Sequence, residues 1–283
     1  MIAIVTDSTS DIEPRHAAEL GIDVVPLFVL WGDRSYRDYL DLSRSQFYEL
    51  LARESDLPTT SAPTSAMFEA AFAPHVAAGR EILCVVLSAK LSGTINAAHA
   101  AAAQFPQAFI QIVDSQSVAG GLGMLVRHAL ALAKGGAAMP EVLAAIEREK
   151  RTQRLYACLA DLSHLVRTGR IGRARGAIGT LMKITPVLSL IDGQIAAQAQ
   201  VRTPTRALET MLDLSLRSVT DIARSRFLVM HTNAQHLADQ TAERLRFRFG
   251  GVDPLSLEIL EAGPVIAVHG GAGAVGIFSA QEA

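Results

Sequence analysis

The sequence predicts an α/β protein of two domains, and three observations carry that reading. Its 283 residues lie in the range, about 250–300 residues, at which a single hydrophobic core usually stops growing. The first half alternates short apolar runs with amphipathic helical segments, the pattern of a parallel sheet covered by helices. The second half carries Asp192-Gly193 between two apolar runs, a hairpin signal that a purely parallel sheet would not contain.

The elements follow in order. Residues 2–6 are apolar and β-branched and stop at Asp7-Ser8-Thr9-Ser10-Asp11, a strand ending in a polar loop. Asp11 is positioned to cap a helix that carries Pro14 in its first turn and ends before Gly21. Residues 24–31 read as a second strand. Ser43 and Gln46 form a capping box ahead of Phe47, Leu50 and Leu51, and Thr64 opens a helix through Met67, Phe68, Ala71 and Phe72. Residues 82–87 are wholly apolar, as a central parallel strand buried on both faces should be. An alanine-rich helix over about 92–104 follows, then a strand at 109–113 and helices at 123–133 and 140–153.

Beyond it, 155–159 is a strand, 185–190 and 194–201 form the hairpin, and Thr203 caps a helix reaching about 222. A strand at 227–231, a helix at 234–247 and strands at 255–259 and 265–268 complete the chain. The division is expected at 1–158, a Rossmann-like domain with a parallel sheet, and 159–283, an α/β domain with a mixed sheet.

Composition excludes several classes of function. Apolar residues make up 49% and charged residues 19%, too apolar for a disordered chain. The net charge of −2 supplies no basic field for duplex nucleic acid, so no nucleic-acid partner is expected. Cys84 and Cys158 both lie in apolar strand-like runs, which excludes a disulfide framework and fits a reducing compartment. The first residues do not read as a signal peptide, and no apolar run approaches the roughly 20 residues a bilayer requires, so a cytoplasmic location is expected.

Three polar segments follow three strands: Asp7 to Asp11, Ser88 to Thr94, and Asp114-Ser115-Gln116-Ser117. Ligands of open parallel sheets bind outside the carboxyl ends of the strands, so these loops should gather at one edge. Helix capping alone accounts for any one of them; three together point to a site. Ser92-Gly93-Thr94 would open a helix with free N–H groups, a natural seat for a carboxylate or phosphate. Thr59-Thr60-Ser61-Ala62-Pro63-Thr64 is a second hydroxyl cluster that capping would also explain. Gly271-Ala272-Gly273-Ala274-Val275-Gly276 has the spacing of a dinucleotide fingerprint, but the residues after it look extended where a helix is required, so we reject that reading. His269 beside these glycines is either a structural imidazole or a ligand-facing group. Arg167, Arg170, Arg173 and Arg175 lack interleaved aromatic residues and read as solvated helix ends or a protein contact.

In combination, Thr6-Asp7-Ser8-Thr9-Ser10-Asp11, Thr59 to Thr64, Leu91-Ser92-Gly93-Thr94, Val113-Asp114-Ser115, Gly169-Arg170-Ile171 and Gly263-Pro264 through His269 resemble the DegV family of bacterial fatty-acid-binding proteins along the whole chain. The resemblance implies a non-catalytic carrier that holds one long-chain fatty acid, such as palmitate, stearate or oleate, in a tunnel between two domains. It also implies a fatty acid kinase partner that converts the presented carboxylate to an acyl phosphate. Carried over residue by residue, the carboxylate ligands would be Thr60, Ser61, Ser92, Gly93, Thr94 and His269. Arg170, Ser8, Asp114 and Ser115 would make further head-group or partner contacts. No catalytic residue, metal or cofactor is implied, and membrane contact would be transient at most, without stable insertion. Ala62, Thr185 before Pro186, and Gly271-Ala272-Gly273 depart from the family pattern. The low aromatic content, 5%, agrees with an aliphatic tube. Two other readings stay open: a serine hydrolase or acyltransferase using Ser92 and His269, in which Lys90 stands where Gly-x-Ser-x-Gly needs its first glycine, and a phosphate-ligand binding module.

Overall fold

The computed structural model describes residues 1–174 and 185–282. The chain falls into two compact units, Met1–Lys150 with Gly263–Val268, and Arg151–Ala262 with His269–Ala283. The division thus falls at Lys150 rather than at the expected 158, and one short C-terminal segment returns to the first unit. Arg175, the last of the four arginines, lies outside the described residues.

In the first unit, β1 (Ile2–Asp7), α1 (Pro14–Leu20), β2 (Ile22–Val25), β3 (Phe28–Trp31), β4 (Arg34–Arg37), α2 (Arg44–Arg53), β5 (Thr59–Ser61), α3 (Ser65–Ala77), β6 (Glu81–Val86), α4 (Thr94–Ala102), β7 (Ile110–Asp114), α5 (Gly120–Lys134) and α6 (Met139–Thr152) follow one another. Four of the strands form a parallel sheet in the order β2-β1-β6-β7. Alternation along β1 and β6 sends Ile4, Leu83 and Val85 to one face, against Leu122, Leu125, Val142 and Ile146 of α5 and α6. Ala3, Val5, Ile82, Cys84 and Val86 go to the other, against Phe68, Phe72 and Ala98 of α3 and α4. Both faces are covered, which explains why 82–87 is apolar without interruption.

The expected strand at 24–31 is two strands. Pro26 offers no N–H to a ladder, so pairing breaks there. β2 joins the parallel sheet, while β3 turns into a small antiparallel sheet in the order β4-β3-β5. Asp11 also departs from expectation. The residue preceding α1 is Glu13, and Asp11 is buried in the left-handed region at φ 54°.

In the second unit, β8 (Arg154–Cys158), α7 (Ser163–Arg167), β9 (Thr185–Ile191), β10 (Gln194–Val201), α8 (Pro204–Arg217), β11 (Ser225–His231), α9 (Gln235–Arg248), β12 (Ser256–Glu261), α10 (Pro264–Gly270) and β13 (Val275–Gln281) follow, with most of α10 belonging to the first unit. The described strands form one mixed sheet in the order β10-β9-β8-β13-β11-β12. The Asp-Gly hairpin pairs Ile191 with Gln194, as its turn requires. Thr203 caps α8 by accepting from Arg206 N–H at 3.2 Å. Val187, Phe227, Val229, Val275 and Ile277 make an apolar face covered by Met211 and Leu212 of α8 and Ala242 and Leu245 of α9.

Residues 265–268, expected as a strand, form part of helix α10. Pro264 supplies a preset φ in its first turn, and the Asp38 carboxyl group accepts from Val265 N–H at 3.2 Å. These local devices outweigh the β-branched run, because the helix also buries Val265, Ala267 and Val268 against Leu27, Trp31 and Phe47. Residues 275–281 are extended, as the rejection of a dinucleotide fingerprint required. Among the described residues, no helix is long and apolar enough to cross a membrane.

Candidate functional site

Because β1, β6 and β7 run parallel, the loops that leave them emerge at one edge, and the structure laces them together. Asp7, the last residue of β1, accepts from Thr9 N–H at 2.9 Å and Thr9 Oγ1 at 2.5 Å with one oxygen, and from Leu87 N–H at 2.8 Å with the other. Burial nevertheless pushes its carboxyl up to about 6, against the pull of those hydrogen bonds. Asp114 closes the other side, accepting from Ala89 N–H at 3.2 Å and Gln116 N–H at 2.8 Å. Ser115 Oγ donates to Ser117 O at 3.2 Å, and Ser88 N–H donates to that same carbonyl at 2.8 Å. The expected gathering of three loops is therefore present. Asp114 and Ser115 build the edge from within.

Ser92-Gly93-Thr94 lies on this edge, where α4 begins at Thr94 with Gly93 in the capping position. Ser92 Oγ and Thr94 Oγ1 are 2.9 Å apart, and Thr94 N–H points to Ser92 Oγ at 3.3 Å. Gly93 is exposed, and a side chain added there would meet only Asn96, at 4.0 Å. The open space beside this helix start leaves its backbone approachable. Among the described residues, the hydrogen-bond partner of Ser92 Oγ is Thr94, through its hydroxyl and its N–H.

Thr60 and Ser61 lie on β5, opposite Val29 and Phe28, in the second sheet of the same unit. Ser8 is buried, its hydroxyl accepting from Leu27 N–H at 3.0 Å and donating to Asp38. That commits Ser8 to holding β3 and Asp38 in place.

Asp38 and Tyr39 escaped the sequence reading, which places Asp11 only as a helix cap and as the end of the first polar segment. Asp11 accepts from Gly263 N–H and from Tyr39 OH, each at 2.8 Å, and Arg44 donates to the same phenol oxygen at 3.1 Å while pairing with Glu13. The Tyr39 ring lies so close to Gly263 that a Cβ there would sit 2.6 Å from it, which is why glycine precedes Pro264. Burial, reinforced for both by nearby carboxylates, pushes Asp11 up to about 7 and Asp38 up to about 8. No local pattern betrays these contacts, since Asp11 and Gly263 are 252 positions apart.

In the second unit, His269 and Arg170 meet at Thr168. His269 Nδ1 lies 2.9 Å from Thr168 Oγ1, and Arg170 Nη1 donates to Thr168 O at 2.5 Å. The end of α7 sets this geometry. Gly169 turns left-handed at φ 73°, and Arg170 N–H returns to Leu165 O at 3.0 Å. Burial first, then the positive charges of Arg170 and Arg167 and the neighbouring His164, push the His269 imidazole down to about 3, so it is neutral at pH 7. Gly271, at φ 67°, lets His164 approach to where a Cβ would be 2.8 Å from its ring.

The first unit thus carries a parallel-sheet edge rich in hydroxyls and amides, and the second unit carries a neutral histidine with arginines beside it. The family model "DegV: Uncharacterised protein, DegV family" matches residues 1–282, and the chain belongs to the DegV family. It is 35% identical over 278 residues, covering 98% of this chain and 97% of the relative, to a DegV domain-containing protein of Halalkalibacterium halodurans. Among solved structures, it is similar to a fatty-acid-binding DegV family protein from Thermus thermophilus, with TM-score 0.92 and 31% identity, covering 99% of each chain. A fatty-acid-binding DegV family protein from Streptococcus agalactiae aligns with TM-score 0.91 and 26% identity over 100% of this chain and 99% of that one.

Proposed function

We propose that this protein is a carrier that holds one long-chain fatty acid and presents its carboxylate to a fatty acid kinase for acyl-phosphate formation. The observation that carries the reading is full-length similarity, in sequence and in fold, to the fatty-acid-binding Thermus protein. Thr60, Ser61, Ser92, Gly93 and Thr94 of the first unit and His269 of the second are the proposed head-group ligands. Ser8, Asp114 and Ser115 act behind them by shaping the edge.

Tail burial supplies the bulk of the expected affinity. Burying about 14 methylenes at roughly 0.8 kcal/mol each gives a gross gain on the order of 11 kcal/mol. Association and ordering remove several kcal/mol, leaving micromolar to nanomolar affinity. The tail therefore dominates affinity, and the hydroxyls orient the head group.

Native mass spectrometry of the purified protein tests the proposal, with and without added palmitate, stearate or oleate. One acid per chain is expected. Unliganded protein throughout would overturn it.

A further inference from the structure

Three carboxyl groups lie buried near one another in the first unit, and they are not equally supplied with hydrogens. Asp7 receives three donors shared between its two oxygens. Asp11 receives two, Gly263 N–H and Tyr39 OH, both on Oδ1; its Oδ2 is buried and, among the described residues, has no hydrogen-bond partner. Asp38 receives Val265 N–H and the Ser8 hydroxyl. The cation facing this group is Arg44 of α2, which is already paired with Glu13. A protonated Asp11 leaves one O–H unmatched, whereas an ionised Asp11 would leave an unmatched charge, the larger penalty in a buried place. Asp38 has Asp11 and Asp7 as neighbours, so its ionisation would add like charge to the cluster.

Both carboxyls hold the same piece of chain. Gly263–Val268 is the C-terminal segment that returns to the first unit, and both its ends continue into the second. Asp11 fastens its first residue and Asp38 its third. We propose that Asp11 and Asp38 act as a proton-operated clasp: protonated, they seat Gly263–Val268 on the first unit, and their ionisation releases it while the parallel sheet stays folded. The clasp works whatever ligand the protein carries.

The balance at each group gives the direction. The N–H and O–H donors pull both carboxyls down, but burial outweighs them and the neighbouring carboxyls add to it, so Asp11 is pushed up to about 7 and Asp38 up to about 8. The groups that face them are Asp7 of β1, Tyr39, and Arg44 with its partner Glu13; the segment itself carries no titratable side chain. Tyr39 stays neutral, since burial and Asp11 hold its phenol well above 10. Opening lets water reach the carboxyls and returns them toward 3.8, so the seated segment binds protons more tightly than the released one. The seat is firmest in acid and is lost as pH rises through about 7 and about 8, beyond which the seated form is itself ionised and the dependence flattens.

Amide hydrogen exchange of the full-length protein, followed by NMR between pH 5 and pH 6.5, tests the clasp. Dividing each rate by its intrinsic value leaves the opening equilibrium. For Gly263 and Val265 this is expected to grow about a hundredfold per pH unit, about tenfold for each carboxyl that ionises on opening. The amides of β6, an interior strand of the parallel sheet, should stay protected. Opening independent of pH would overturn the inference, and growth of only about tenfold per unit would strike out one of the two carboxyls. Exchange no faster than that of β6 would also overturn it, because the segment would then open only with the whole unit. Asp38→Asn and Asp11→Asn should each reduce the dependence to about tenfold per unit; the wild-type slope in both would refute the assignment to these side chains. Should either variant fail to fold, the wild-type profile is decisive on its own.

Discussion

Replacing Asp38 by asparagine should stabilise the first unit at high pH. Asp38 is 2% exposed, accepts from Val265 N–H and Ser8, and has Asp7 and Asp11 as neighbours. Its carboxyl rises from 3.8 to about 8, chiefly through burial, so the native state binds this proton more tightly than the unfolded chain does. The stabilisation linked to that proton is complete below 3.8 and is lost as pH rises through about 8. The interval corresponds to on the order of 6 kcal/mol between the two protonation states, of which roughly 4 kcal/mol is lost between pH 5 and pH 9. Asparagine can keep the acceptor for Val265 and carries no charge. Asp38→Asn should therefore unfold with a flatter pH dependence and be more stable than wild type at pH 9 by about 2–4 kcal/mol, local relaxation setting the lower end. Trp31, the single tryptophan, is buried in the core that α10 shares, so its fluorescence during urea unfolding reports this unit. If Asp38 were instead an ionised cap for α10, the asparagine variant would be the less stable at pH 9. That result would refute the reasoning.

Three further outcomes follow from other contacts. Gly123→Ala would place a Cβ 2.5 Å from Ser10 O, so α5 must shift away from the Asp7–Asp11 loop, at a cost of about 1–3 kcal/mol in the Trp31 urea transition; an unchanged midpoint would contradict the packing. Ser92→Ala and Thr60→Ala should each weaken displacement of a fluorescent fatty acid by about 1–3 kcal/mol, the worth of one charge-assisted hydrogen bond, and a loss under twofold for both would remove them as ligands. Arg170→Ala should leave acyl binding within about tenfold of wild type while acyl-phosphate formation with an added fatty acid kinase falls much further; equal losses would make Arg170 a simple ligand.

Elements whose cause is local were legible in the sequence. The Ser43–Gln46 capping box is present in full, and the Asp192-Gly193 turn sets the β9–β10 register. Misreadings came where a proline or a distant partner decided the outcome. Pro26 split an apolar run that by composition is one strand. Residues 265–268 carry β-branched side chains, yet Pro264, the Asp38 carboxyl group and burial beside Trp31 make them helical. A single sequence shows Asp11, Asp38 and Gly263 as unrelated loop residues, because their contacts close very long loops.

The polar loop residues posed a choice between helix caps and site, and the geometry shows that a residue which caps a turn can also fix the neighbouring loop. Asp7 caps its own turn through Thr9 and, with its second oxygen, holds Leu87 at the root of the Ser92 loop. Asp114 makes a local turn with Gln116 and reaches Ala89 in the same loop. A carboxylate has more acceptor positions than a cap uses, so a short side chain at a strand end can terminate one element and fix the next. The consequence is a fixed edge: the loop carrying Ser92-Gly93-Thr94 is tied at Leu87, Ser88 and Ala89 before its hydroxyls begin. On the proposed reading, a ligand arriving there would meet donors already in place, the ordering cost that would otherwise be subtracted from its affinity having been met in folding.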